Sequence, residues 1–283
     1  MASQLAKELI DAGIHYGHRT SRWNPKMKPY IFGKRTAIHI IDVRETLKGL
    51  FLAKKFITGI VTDGKDLLIV GTKRQARKSI EEQATAIGMH YANDRWLGGT
   101  LTNFHEIRKR VGRLSQLEQL ETEGMLDTYS KKEGASLRRE MRKIRRNLGG
   151  IRNMTRLPGA LFIIDQVREI IAIREARKMG IPVVCLLDTD CDPDMVDIPI
   201  PGNDDAMRSI ELITRELCQA AAEGLGMRAK RQEQAQVEVT TRRRSHRPAT
   251  AKADQTLQEQ AEDVPQPESP PVNEPDIGEQ AQP

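Results

Sequence analysis

The sequence contains few of the residues that build disulfide-stabilised, membrane-spanning or secreted proteins. Only three cysteines occur among 283 residues, Cys185, Cys191 and Cys218, and no two of them form a CxxC pair. A sparse, odd cysteine count is typical of a reducing compartment and excludes a disulfide scaffold. No apolar run approaches the roughly 20 residues of a membrane span, and residues 1–12 lack the charged and apolar regions of a secretory signal. We therefore expect a cytoplasmic protein without membrane contact.

Aromatic residues are also scarce, and all of them lie at or before Phe162. The last 55 residues contain no aromatic residue, seven of the 14 prolines, and eight carboxylates between Asp254 and Glu279. Such a segment cannot bury enough apolar surface to offset its ordering entropy. The sequence therefore predicts a disordered, acidic, proline-rich tail over residues 229–283.

The charge is divided unevenly along the chain. The whole sequence carries a net charge of +6, but residues 229–283 contain 7 basic and 10 acidic residues, which leaves +9 on residues 1–228. A strongly basic region indicates an anionic partner, and nucleic acid is the leading one. The alternative is a soluble protein that is merely basic.

Apolar segments alternate with helical patterns over most of residues 1–228. Strands that are apolar on both faces and alternate with helices form parallel sheets covered on both sides. We therefore predict a three-layer α/β domain with a mainly parallel, Rossmann-like or flavodoxin-like sheet. Residues 13–35 are predicted to be a loop. The predicted strands are residues 38–41, 66–71, 160–165, 181–187 and 196–200, and the main helices are residues 43–60, 74–87, 167–179 and 204–223.

Residues 104–156 interrupt this alternation. Apolar residues from Leu137 to Ile151 follow 4-3-4-3 steps, and those from Phe104 to Leu114 follow 3-4-3 steps. This spacing predicts a protruding antiparallel helical hairpin with a short coiled-coil seam; two ordinary core helices are the alternative. The predicted domains are residues 1–103 with 157–228, the hairpin 104–156 and the tail 229–283.

Enzyme signatures are missing. The sequence contains no GxxxxGK[ST], GxGxxG, HExxH or GxSxG motif. A fold of this class does not imply catalysis, so we predict no enzymatic activity. The competing class is a nucleotide-dependent transferase built on the same sheet.

Two segments combine cations with features that suit RNA. Residues 12–41 carry six Lys or Arg and no acidic residue, and Tyr16, Trp23, Tyr30 and Phe32 are interleaved with them. Cations meet phosphates and aromatic rings stack on exposed bases. At residues 73–78, four cations open a helix, which costs roughly 0.3–1 kcal/mol per charge unless an anion binds there. Solvated surface charge is the alternative for both. The candidate RNA-binding residues here are Arg19, Arg22, Trp23, Lys26, Lys28, Lys73, Arg74, Arg77 and Lys78.

Two further segments add candidates. The charged residues of the second hairpin helix are almost all basic, so they repel one another. A bound polyanion would relieve this repulsion. The glycine-containing segment 96–104 is either a tight fold junction or a contact loop. The candidates for RNA or partner contact are Arg95, Trp96 and Asn103 around the loop, and Arg108, Arg139, Arg142 and Arg146 on the hairpin.

Acidic residues follow the last two predicted strands. Ligands collect at the carboxyl ends of strands in α/β sheets. Helix capping and Asx-turns are the alternative explanation. No cofactor is required, but a divalent ion, Zn²⁺ or Mg²⁺, has candidate ligands in His18, Asp188, Asp204 and Asp205.

Five segments together resemble one family. They are His15–Met27 (HYGHRTSRWNPKM), Gly71–Ala76 (GTKRQA), Arg95–Asn103 (RWLGGTLTN), Leu187–Asp194 (LDTDCDPD) and Ile200–Ala206 (IPGNDDA). In this order they resemble the family of the bacterial small-ribosomal-subunit protein number two, over about residues 3–227.

The resemblance implies a non-catalytic protein of the small ribosomal subunit. It implies an α/β domain with a protruding hairpin, bound to small-subunit ribosomal RNA on the solvent side between head and body. It also implies support for docking of the large, messenger-binding ribosomal protein number one, beside other small-subunit proteins. We expect no homo-oligomer. A free regulatory RNA-binding protein that uses the hairpin is a further alternative.

Overall fold

The computed structural model describes residues 2–245, and the first of two compact units ends at Arg231. The first unit contains all of the strands and the first six helices, and helix α7 begins within it. No helix among the described residues combines the length and apolar character that crossing a bilayer requires. The helices are α1 (Ala2–Asp11), α2 (Val43–Thr62), α3 (Arg77–Ala86), α4 (Phe104–Thr122), α5 (Lys131–Leu148), α6 (Ile170–Lys178) and α7 (Met207–Ser245). The strands are β1 (Tyr16–Arg19), β2 (Ile31–Arg35), β3 (Ile38–Ile41), β4 (Leu67–Val70), β5 (His90–Ala92), β6 (Ala160–Ile164), β7 (Val183–Leu187) and β8 (Ile198–Pro201).

A five-stranded sheet carries the fold. Its strand order is β5-β4-β6-β7-β8, and every neighbouring pair is parallel. The chain passes from β4 outward to β5 and then returns to β6 on the other side of β4, which is the flavodoxin-like order. The predicted α/β class with a mainly parallel sheet is confirmed.

The sheet is covered on both faces because its strands are apolar throughout. Along β6, Leu161 and Ile163 pack in one core cluster, while Phe162 and Ile164 pack in the other. Successive strand side chains point to opposite faces, so a continuous apolar run requires cover on both sides. Side chains of α2 and α7 share the Phe162 cluster, and side chains of α6 share the other.

A second, three-stranded sheet lies within residues 16–41, where the sequence predicts a loop before a single strand. Its order is β1-β3-β2 and its pairs are antiparallel. The loop prediction is therefore wrong for β1 and β2. The turn between β2 and β3 uses Thr36 and Ala37 at φ 50° and 60°. Two left-handed residues suit a tight hairpin, but the usual Asn-Gly signal is absent, so the hairpin is hidden in the sequence.

Helices α4 and α5 pack against each other and run antiparallel. Arg108 of α4 donates to the carbonyl of Thr155, while Glu118, farther along α4, pairs with Arg145. Leu114, Leu117 and Met141 form a small apolar cluster between the helices. At the ends of these helices nearer the sheet, Ile107 and Leu148 pack instead in the core cluster that contains Leu161 and Ile163. A protruding coiled coil stays a prediction.

Helix α7 continues beyond Ala229 to Ser245, where the sequence predicts disorder. The prediction is wrong over residues 229–245, because no Gly or Pro occurs between Gly226 and Pro248 and many of these residues favour helices. The acidic stretch from Asp254 to Glu279 lies outside the described residues.

Candidate nucleic-acid interface

Charged side chains converge where the parallel strands end. Nζ of Lys73, which follows β4, lies 3.3 Å from Oδ2 of Asp165, which follows β6. The same ammonium group lies 2.8 Å from Oδ1 of Asp204 and 2.6 Å from Oδ1 of Asp205, both after β8. The Lys73 side chain is only 12% exposed. Its predicted RNA contact stays a prediction, and its charge already has three carboxylate partners.

Strand β1 brings His18 to this cluster. Nδ1 of His18 lies 2.7 Å from Oδ2 of Asp188, and its Nε2 lies 3.7 Å from Oδ2 of Asp205. The His18 backbone N–H also donates to Oδ1 of Asp188 and to Oγ1 of Thr189. Gly17 allows this approach, because a Cβ there would lie 2.6 Å from Cγ2 of Thr189.

The cluster shifts the protonation of its members. The hydrogen bond to Asp188 raises the pKa of His18 to about 9, and this gain outweighs the opposing effect of burial. Burial and the neighbouring Asp165 raise the pKa of Asp204 to about 7, although Lys73 acts in the opposite direction. Burial lowers the pKa of Lys73, but the carboxylates outweigh it and the pKa is raised. Near neutral pH the imidazole of His18 and the ammonium group of Lys73 are therefore protonated, and Asp204 titrates in this same range.

Three of the four predicted metal ligands come together. His18, Asp188 and Asp204 each offer a ligand atom, and these atoms lie within 4.8 Å of one another; Asp205 is not in the group. One imidazole and two carboxylates suit Zn²⁺, or with added waters Mg²⁺. Lys73 already pairs with Asp204, so a divalent ion has to displace its ammonium group and the proton on His18.

The capping role that is the alternative explanation for these acidic residues is filled by Asn203. Its Oδ1 accepts hydrogen bonds from the backbone N–H groups of Asp205 and Ala206. Asp204 makes no such cap and is directed to Lys73 instead.

About half of the predicted cations pair with protein groups. Lys26 pairs with Asp192 and Asp194, and both Arg77 and Arg146 pair with Asp94. Lys78 lies 3.7 Å from Glu82. Arg108 and Arg139 donate to the backbone carbonyls of Thr155 and Ala135.

The remaining predicted cations are exposed, and within the described part of the chain their charged groups have no partner. They are Arg19, Arg22, Lys28, Arg74, Arg95 and Arg142. Trp23 is 37% exposed and lies beside His39, whereas Trp96 is buried and Asn103 is exposed without a side-chain cap bond to helix α4. The first three cations and Trp23 come from one segment, residues 19–28.

A buried carboxylate that sequence reasoning missed organises the loop before α4. Glu175 of α6 accepts hydrogen bonds from Nε1 of Trp96 and from the backbone N–H groups of Gly99, Leu101 and Thr102. Burial raises the pKa of Glu175, but these donors outweigh burial and hold the pKa below its ordinary value. The loop is thus a tight junction held by one side chain. Only the odd charge within an otherwise apolar helix face hinted at it.

The chain matches known proteins over most of its length. The model of the family described as ribosomal protein S2 matches residues 9–224. Proteins named small ribosomal subunit protein uS2 are 55% identical in Rhodopirellula baltica, over 80% of this chain and 87% of that protein, and 55% identical in Acidothermus cellulolyticus, over 81% and 84%. One with the same name in a Nitratiruptor species is 49% identical over 90% of this chain and 93% of that protein. The chain belongs to the ribosomal protein S2 family, which is structural and not enzymatic.

Proposed function

We propose that this protein is a structural constituent of the small ribosomal subunit in the cytoplasm and that it binds the subunit's RNA on the solvent side, between head and body. Its family membership supports the structural role in translation. The observation that carries RNA binding is the set of exposed cations without protein partners among the described residues, concentrated in residues 19–28. Unpaired surface cations meet phosphates at little desolvation cost and release counterions.

The RNA contacts divide into two groups. Arg19, Arg22, Lys28 and Trp23 form the first, beside strand β1. Arg77 and Arg95 with the hairpin residues Arg142 and Arg146 form the second. Arg77 and Arg146 share Asp94, which fixes their guanidinium groups without cancelling both charges. The first group offers exposed cations without partners among the described residues, and the second combines two such cations with two guanidinium groups that Asp94 orients.

We further propose that the exposed groove beside Phe32 docks protein number one among the neighbouring small-subunit proteins. The groove has a volume of about 380 Å³ and is mainly apolar, with Ile10, Ile40 and Leu47 among its lining residues. Phe32 is 78% exposed. A large apolar side chain held at the surface beside an apolar groove is the anchor typical of protein interfaces.

No cofactor is required for this role. We propose that Zn²⁺ or Mg²⁺ binds at His18, Asp188 and Asp204 only in competition with Lys73. Titration of the metal-free protein with zinc, followed by thermal unfolding, tests this point. Stabilisation that is lost in Asp204→Asn supports the site, and equal responses of both proteins exclude it.

Sedimentation tests the proposed function. A tagged full-length chain, expressed in bacteria, is followed through a sucrose gradient after a moderate salt wash of the ribosomes. We expect the chain in the small-subunit fraction. Recovery only at the top of the gradient would instead favour a free regulatory RNA-binding protein, and turnover of a nucleotide would favour the transferase alternative.

A further inference from the structure

A crevice opens at the point where the sheet's strand order reverses. The chain leaves β4 through α3 toward β5 and leaves β6 through α6 toward β7, in opposite directions along the sheet. Open α/β sheets bind their ligands outside the carboxyl ends of the strands at this switch point. The cavity has a volume of about 560 Å³, within the roughly 300–1,000 Å³ typical of small-ligand pockets. Its lining includes Thr72, Arg77, Arg95, Arg168, Glu169 and Ile171.

Hydrogen bonds fix the polar end of the crevice. The backbone N–H and the hydroxyl of Thr72 both donate to Oε1 of the buried Glu169. Nε of Arg168 donates to Oγ1 of Thr72 at 2.9 Å. The guanidinium group of Arg168 is therefore oriented at the crevice rather than free in solvent.

Four arginines line the crevice against few negative charges. Arg77 and Arg146 share the carboxylate of Asp94, at 2.6 Å and 2.7 Å. Arg95 is exposed and has no hydrogen-bonding or ion-pair partner among the described residues. Arg168 donates to the neutral hydroxyl of Thr72. The excess of guanidinium groups creates a site for an anion with several oxygens, since arginine donates in pairs to phosphate.

Two apolar side chains also line the crevice. Ile171 lines it while remaining 53% exposed, and the largely buried Trp96 also belongs to its lining. A phosphate ion alone gains nothing from these side chains. A nucleotide has a flat apolar base next to its phosphate, and bases that leave the stack pack on such surfaces.

We propose that the crevice receives one unstacked nucleotide of the small-subunit RNA, with its phosphate at Arg95 and Arg168 and its base against Ile171. This proposal rests on the RNA-binding role proposed above and names the part of the RNA that this site holds. An RNA nucleotide and a free nucleoside monophosphate present the same phosphate and base to the crevice. Free nucleotide is therefore tested as the other possible occupant.

The central experiment fills the crevice without changing its charge. Small subunits from which this protein has been removed are mixed with labelled full-length chain, and the dissociation constant is measured. Ile171→Trp is expected to weaken binding about tenfold, a loss in the range of one base contact. Val167→Trp is the matched control, because Val167 is 57% exposed on the same segment but does not line the crevice. Equal binding by both variants overturns the proposal.

Two further measurements keep the proposal testable if Ile171→Trp unfolds. Arg95→Gln changes an exposed side chain that has no partner among the described residues, and is expected to weaken binding while leaving the melting temperature unchanged; unchanged binding overturns the proposal. The native cysteines are buried, so a thiol-reactive photo-crosslinker attaches selectively to Ile171→Cys. We expect crosslinks to one short RNA segment, and crosslinks only to protein overturn it.

The source of the nucleotide is tested separately. Adenosine and uridine monophosphates are added to the free protein at up to millimolar concentration. Tight binding of free nucleotide that leaves subunit binding unaffected identifies a soluble-ligand site and overturns the RNA proposal. Failure of the wild-type chain to rejoin subunits is a different result, because it rejects the proposed function itself.

Discussion

Nδ1 of His18 lies 2.7 Å from Oδ2 of Asp188, although 170 positions separate the two residues in the chain. The contact joins strand β1 of the small sheet to the end of strand β7 in the large one. It also places a proton-binding group against a carboxylate that is almost completely buried. We therefore expect the attachment of the small sheet, whose first strand ends at Arg19, to depend on pH.

Alkaline pH should weaken the fold through His18. Its pKa is raised from 6.5 to about 9, so its stabilisation is complete below pH 6.5 and is lost as the pH rises through about 9. With a chelator present, we expect the melting temperature to fall by about 3–6 °C from pH 7.5 to 9.5, from roughly 1–2 kcal/mol of lost pairing. His18→Gln should flatten this decline, whereas the exposed His105→Gln should not. Parallel declines in all three proteins would contradict the assignment.

A methyl group at Gly17 should destabilise the protein. The added Cβ would meet the side chain of Thr189 at 2.6 Å and press against Asp188. We expect Gly17→Ala to lower the free energy of unfolding by about 1–3 kcal/mol. Gly33→Ala is the matched control, because Gly33 lies in the same small sheet and a Cβ added there would meet nothing within 4 Å. The free energy of unfolding of both variants is measured with denaturant. Equal values would contradict this prediction and would mean that β1 can move away from Thr189 without cost.

Loss of the Glu175 charge should loosen the loop before α4. In Glu175→Gln only one of the two acceptor oxygens remains, and an NH2 group takes the place of the other. Either the donors of Trp96 and Gly99 or the N–H groups of Leu101 and Thr102 therefore lose their acceptor. We expect a loss of about 1.5–3 kcal/mol at neutral pH, with the exposed Arg174→Gln nearly unchanged.

Acid should destabilise the wild-type protein more than the Glu175→Gln variant. The lowered pKa of Glu175 contributes stability above its unfolded value of 4.5, and this stability is lost as the pH falls through the lowered pKa. Thermal unfolding between pH 3 and 6 should therefore show a smaller acid effect in Glu175→Gln than in the wild type. The same acid dependence in both would exclude the role of this carboxylate.

The basic segment should determine part of the salt dependence of subunit binding. Replacing Arg19, Arg22 and Lys28 together with Gln should reduce the slope of log K against log salt by about 2, at roughly 0.7 per lost phosphate contact. The control replaces Lys7, Lys48 and Lys55, which removes the same charge from α1 and α2. Equal slopes for both triple variants would place the RNA elsewhere.

Phe32 should matter for a protein partner and not for stability. We expect Phe32→Ala to weaken retention of ribosomal protein number one on the subunit about 30-fold or more, the effect of an interface anchor of at least 2 kcal/mol. Phe51→Ala is the control, because Phe51 is 47% exposed on α2 and does not line the groove. Normal retention in both variants would exclude the groove as the docking surface.

The sequence by itself determined the class of fold and the family. The runs at β4, β6 and β7 are apolar at every position, and only a sheet covered on both faces accepts such strands. The five motif segments identified the family because they are local strings in a fixed order. The helix boundaries were harder, since α3 begins at Arg77 and not at Arg74, and α7 runs on to Ser245.

The tertiary structure alone decided which charges remain available to a partner. Lys73 and Arg74 are adjacent in the chain and alike in chemistry, yet Lys73 pairs with three carboxylates from two other strand ends while Arg74 is exposed without a partner among the described residues. The small sheet and the Glu175 contacts were hidden for the same reason. Each depends on pairs of residues far apart in the chain, and a local pattern carries no record of which distant residue a side chain will meet.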